Sequence, residues 1–204
     1  MVNGISYEAQ SELNPRFAPR GKLPYIIHKG QKISDSELIL DYLEREFNLN
    51  LNEGLSSESI ALGSAVEIIC NEHLYFLMLY YRYLVEDNFK ILCDIFFQRL
   101  KFPLNRIMPR VLYSTVQKQL NGQGIGRMSL EEVSNISMKA VDSLEGLLSE
   151  NNFFTGEKLC RADYSAFAHL ANILYPPFES PLKDYLKSKT RLVGYIDRIK
   201  SYYF

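Results

Sequence analysis

The sequence predicts an α+β chain: a small N-terminal unit over residues 1–50 holding a hairpin and a helix, followed over residues 56–204 by an all-helical unit. Three observations predict it. Leu23 to Ile33 reads as strand, turn and return strand; Ser34-Asp35-Ser36-Glu37 opens a helix; and from Ser56 onward apolar residues recur at helical spacing nearly to the C-terminus.

Leu23-Pro24 puts a proline at the start of an apolar run, where its missing N–H harms a sheet least and where a cis bond is accessible. β-forming residues continue to Ile27, Lys29-Gly30 supplies a turn, and Gln31 to Ile33 returns. Ser34 stands three residues before Glu37, the capping-box spacing, and Leu38, Ile39, Tyr42, Leu43 and Phe47 form one stripe that can pack on the hairpin. The N–H groups of Asp35, Ser36 and Glu37, with the helix dipole, favour an anionic ligand group. The acidic side chains of Asp35 and Glu37 oppose an anion unless the ligand also carries an ammonium, so an amino-acid-like head group suits.

Beyond Ser56 a long helix runs from Ser57 to Tyr83, with Glu67 and Glu72 on its wetter side, followed by helices over Asp87–Leu100 and Leu104–Leu120. Pro103 and Pro109 are expected to break or kink that stretch. The Asn121–Arg127 segment, with Gly122, Gly124 and Gly126, reads as a flexible connector; no strand precedes it and no Lys-Ser/Thr ending follows, so it is not a phosphate loop. Ser129 with Glu132 starts a further helix, Asp163 to Leu174 forms a short buried one ended by Pro176-Pro177, and Arg191 to Tyr203 closes the chain. Tyr75, Phe76, Tyr80, Tyr81 and Tyr83 serve either core packing or an apolar acceptor pocket.

These residues carry a resemblance. Lys22-Leu23-Pro24-Tyr25-Ile26, Asp35-Ser36 and Ile39, Tyr42 and Leu43 resemble the second half of the thioredoxin-like domain of glutathione transferases. Phe153 to Tyr164 is similar to the Gly-Asp-x-x-Ser/Thr-x-Ala-Asp helix start of that family's all-α domain, and Glu72-His73-Leu74-Tyr75 with Gly124-Ile125-Gly126-Arg127 resembles the failed-axon-connections and metaxin-like branch. The resemblance implies a truncated thioredoxin-like domain, lacking the first strand and helix, ahead of an all-α transferase domain. It implies glutathione as substrate or ligand, with Asp35 and Ser36 gripping the γ-glutamyl end, Leu23 and Pro24 at the cysteinyl unit and Lys22 at a terminal carboxylate. A homodimer is an arrangement it also implies. Two functions follow from it: conjugation of glutathione to an electrophile, or a non-catalytic scaffold or binding protein.

In the family the catalytic Tyr, Ser or Cys sits on the first strand and helix, and this sequence begins about where that helix ends. Either an upstream start is missing or the member is degenerate, and the catalytic residue stays unknown. Ile5 to Ala9 resembles the second strand, so Tyr7 is not assigned the role. Cys160 occupies the family's Ser/Thr cap position; a thiol is a weak acceptor, at a cost of about 1 kcal/mol, while Asp163 can still reach back to a backbone N–H.

A formal charge of -1 argues against nucleic acid or an anionic membrane as an electrostatic partner. Cys70, Cys93 and Cys160 are odd in number and widely spaced, as expected of free thiols in a reducing compartment, and the polar first twenty residues carry no secretory pattern; a cytoplasmic location is expected. Asn71, Glu72, His73 and Arg82 interrupt the apolar stretch Ile68–Val85, so no integral membrane segment is expected. Cys70 and His73 lie three apart without a second pair, so no metal is expected either.

Overall fold

A computed structural model describes residues 4–10, 18–21, 23–98 and 100–203. Strand β1 (Tyr25–His28) pairs antiparallel with β2 (Gln31–Ser34), Tyr25 facing Ser34 and His28 facing Gln31. Lys29 and Gly30 both take positive φ, 49° and 78°, the signature of a two-residue hairpin turn whose twist matches the strands. Among the described residues these two strands make the whole sheet. Ile5 to Ala9 does not join them: with no described strand beside it to share a ladder, it forms no strand.

Helix α1 (Ser36–Phe47) crosses the hairpin. Its Tyr42 hydroxyl lies 2.7 Å from His28 Nδ1, and the His28 ring also packs on Phe47 at 5.5 Å between centroids. The stripe is only partly covered, since Ile39 is buried while Leu38 and Phe47 remain exposed.

The helical unit begins with α2 (Ser57–Ile68), which runs through a π-helical turn (Ile69–Leu74) into α3 (Tyr75–Tyr83). This 27-residue run is, by length and composition alone, the one helix among the described residues that could cross a membrane, which departs from the expectation drawn from its interrupting polar residues. Its apolar content has another use: Val66, Cys70, Leu74 and Leu77 are wholly buried at the centre of the core. α4 (Glu86–Phe97) and α5 (Leu104–Gln123) follow, and α5 continues through Pro109, so that proline does not break the helix; Pro103 marks its start. The glycine segment is tighter than a flexible connector. Gly124, at φ 112°, ends α5, and a Cβ on Gly126 would stand 2.5 Å from Asn121 Oδ1.

α6 (Leu130–Leu148) starts with the full Ser129–Glu132 capping box. α7 (Arg161–Leu174), α8 (Pro181–Ser188) and α9 (Thr190–Tyr203) complete the unit, α8 being a helix the sequence reading missed. Asp163 organises the start of α7. Its carboxylate, fully buried, accepts from the N–H groups of Cys160 at 2.8 Å and Phe154 at 3.1 Å and from the Tyr195 hydroxyl at 3.1 Å. Burial pushes its pKa up against those bonds, and the Asp163 half of the box does what a thiol at Cys160 does weakly.

Tyr80 and Tyr81 are core residues: the first donates to the Met128 carbonyl at 3.3 Å, the second meets Ser137 Oγ at 3.2 Å, and Tyr75, Phe76 and Tyr83 pack against the same core.

Candidate functional site

The hairpin ladder ends at the Tyr25–Ser34 pair, so Leu23-Pro24 and Asp35-Ser36 are the next residues outward at the same end. The Leu23–Pro24 peptide is cis. Leu23, Pro24, Asp35 and Ser36 are all exposed, so the two segments form an open cradle of backbone edge and helix start. Lys22, the remaining residue assigned to this site from sequence, lies outside the described residues.

The cap of α1 differs from the sequence reading. Ser34 is the buried last residue of β2, and the cap is Asp35, whose Oδ1 accepts from Glu37 N at 3.1 Å. An aspartate accepts from two residues on as readily as a serine does from three, and Glu37 is drawn elsewhere. Asp35 sits at φ 80°, ψ 128°, a region that a residue with a Cβ rarely adopts and that costs on the order of 1–3 kcal/mol. Such strain persists where surrounding structure enforces it; here the Asp35 carbonyl also accepts from Ile39 N at 2.9 Å.

Glu37 leans away from the cradle. Asn71 Nδ2, on the π-helical turn, donates to Glu37 Oε1 at 2.8 Å, and Asn71 Oδ1 accepts from Ser165 Oγ of α7 at 2.8 Å. The carboxylate left over the helix start is that of Asp35. An anion meeting the first-turn amides and an ammonium meeting Asp35 therefore have separate places.

Below this, Arg161 at the first position of α7 ties the two units together. Its guanidinium lies 2.7 Å from Asp41 and from Glu44 and 3.4 Å from Glu67, and it donates to the Glu37 carbonyl at 3.2 Å. Glu67 is therefore not on a wet face. Its side chain is 14% exposed, and burial raises its pKa despite Arg161. Sequence reading missed Asn71, Ser165 and Arg161. The one hint was an uncompensated Glu67 inside an apolar helix.

The Cys70 and Cys160 thiols do not belong to this site; both are buried, with pKa values pushed up to about 12 and about 11 by burial. His73 is held below its usual pKa by burial. A cavity of about 430 Å³ is lined by Ile91, Asp94, Ile95, Gln98 and Pro177, none of them a residue of the cradle.

Residues 1–88 match the model of the glutathione S-transferase N-terminal domain, and residues 137–199 that of the glutathione S-transferase C-terminal domain. Over 206 residues the chain is 30% identical to an isoprene-epoxide glutathione S-transferase of Rhodococcus sp. (strain AD45), covering 98% of this chain and 87% of that protein. It is 27% identical over 209 residues to Failed axon connections of Drosophila melanogaster, covering 97% of this chain and 50% of that one.

Proposed function

The chain belongs to the glutathione S-transferase family, and we propose that it binds glutathione at the cradle of Leu23, Pro24, Asp35 and Ser36 and adds the bound thiolate to an electrophile in a reducing, cytoplasmic compartment. The observation that carries this is the strained, exposed Asp35 at the start of α1 with Glu37 tied back to Asn71. The γ-glutamyl carboxylate meets the amides and hydroxyl at Ser36, its ammonium meets Asp35, and the cysteinyl backbone pairs with the exposed backbone at Leu23, just ahead of β1. Lys22 is proposed for the glycyl carboxylate. In the reaction the sulfur forms a bond to carbon while the leaving bond on the electrophile breaks; with an epoxide, the substrate class in the Rhodococcus relative's name, the ring C–O bond opens and the alkoxide takes a proton from water. No residue is assigned to the sulfur. Tyr7 is 73% exposed and lies in no strand.

Likeness to Failed axon connections supports a second reading, a scaffold that retains the fold without conjugation. Calorimetry with reduced glutathione tests the first step: heat on binding, weakened tenfold or more by Asp35→Ala and by Ser36→Ala, is expected. No heat at millimolar glutathione overturns the reading. Binding without turnover of epoxide or aromatic electrophiles favours the scaffold.

A further inference from the structure

We propose that the C-terminal end of α4 and the first turns of α5 form a docking surface for an anionic lipid bilayer. Between Ile95 and Leu130 the sequence carries six cations, Arg99, Lys101, Arg106, Arg110, Lys118 and Arg127, and neither Asp nor Glu. A whole-chain charge of -1 conceals this segregation, which is why the sequence reading set anionic membranes aside. The described five are exposed, and the ion pairs among the described residues all form elsewhere. Among the described residues, no carboxylate pairs with these five cations.

Large apolar side chains share the surface. Phe102 is 76% exposed, Leu104 51%, Ile107 47% and Val111 47%. On α5, Leu104, Ile107 and Val111 fall at i, i+3 and i+7 along one stripe, Lys118 continues it, and Arg106 and Arg110 line its edge. Apolar side chains at the level of acyl chains, rimmed by cations at the level of phosphates, is the layout of a surface-lying amphipathic helix.

Other occupants fit less well. Nucleic acid would match the charge and could stack one base on Phe102, but the aliphatic Leu104, Ile107 and Val111 offer no further stacking plane. A second copy, meeting this face with its own, would set Arg106 and Arg110 against like charges. The surface also falls between the two matched domain models, which end at residue 88 and resume at residue 137, so neither domain match accounts for it.

Flotation with phosphatidylcholine vesicles, with and without phosphatidylserine, tests the proposal on the full chain. Binding to the phosphatidylserine vesicles alone, weakening as potassium chloride is raised, is expected. Each cation near the surface contributes about fivefold, so Arg106→Gln/Arg110→Gln should lower partitioning by about 30-fold. Phe102→Ser/Ile107→Ser should also release the protein. Both pairs are exposed, so melting temperatures should hold, and Lys158→Gln, an exposed cation on another face, should change nothing. Equal binding to both vesicle types, no binding to either, capture of single-stranded RNA without vesicle binding, or indifference to the double substitutions overturns the proposal.

Discussion

Asn71 reaches across from the long core helix to Glu37 in the first turn of α1, Nδ2 to Oε1 at 2.8 Å, and so determines which of two neighbouring carboxylates faces the cradle. A π-helical turn inserts an extra residue and re-aims the side chains that follow it, and Asn71 lies within that turn. Removing the amide frees the Glu37 carboxylate to compete with an anionic ligand for the helix start. Asn71→Ala is therefore expected to weaken glutathione binding by about tenfold, a typical charge-assisted interaction. Asn71→Ala/Glu37→Gln should recover most of the loss, because the competing charge is gone. Calorimetric titration of the four proteins in this cycle checks it; a double substitution as weak as Asn71→Ala would show that the loss came from packing.

Asp35→Gly should separate stability from binding. Glycine takes φ 80° without strain, a gain of about 1 kcal/mol, and replacing an aspartate cap by glycine loses only a few tenths. The variant should melt at or above the parent's temperature while losing glutathione affinity, since the ammonium partner is gone. Calorimetric melting beside ligand titration measures both; a lower melting temperature with unchanged affinity contradicts the assignment.

Arg161→Ala should lower stability by about 2 kcal/mol, less than a fully buried pair because Asp41 is 55% exposed and water screens it. Arg161→Lys should recover only part, because one ammonium cannot reach the carboxylates of Asp41, Glu44 and Glu67 as a planar guanidinium does. Glu67 already has a raised pKa in the fold. A carboxyl of that kind adds stability below its unfolded pKa and loses it as pH rises through the native value. The deficit of Arg161→Ala should therefore shrink as pH is lowered from neutral toward about 5, read by urea unfolding across that range.

The three cysteines should report the core. Cys93 is half-buried, whereas Cys70 and Cys160 are buried with pKa values near 12 and 11. A thiol reagent at mild pH should label Cys93 first and the other two only after denaturation. Because the two buried thiols titrate later in the fold than in the unfolded chain, their contribution is complete below the ordinary thiol value and is lost as pH climbs toward 11. Cys160→Ser should lessen that alkaline loss and, as a better cap, add about 0.5–1 kcal/mol at neutral pH. Denaturant curves at neutral and alkaline pH test both effects.

Local signals were legible wherever a short stretch of chain decides the outcome. Lys29-Gly30 specifies its turn, Ser129 and Glu132 specify their box, and Asp163 reaches back three residues as its spacing requires. The start of α1 was legible only to within a residue: Ser34 and Asp35 can both cap, and pairing of Ser34 with Tyr25 in the ladder assigned the role to Asp35. Ile5 to Ala9 illustrates the opposite case, for a β-like sequence becomes a strand only beside a partner.

By itself the sequence determined the hairpin and the helical character of the second unit, because capping, turn preference and apolar periodicity act over a few neighbouring positions. Tertiary structure alone decided how the cradle is charged. Asn71, Ser165 and Arg161 stand 34, 128 and 124 positions from Glu37, and only folding brings their hydrogen bonds and ion pairs to bear on the start of α1. The same holds for the basic apolar face of α5, since whether a side chain stays in water depends on what packs over it.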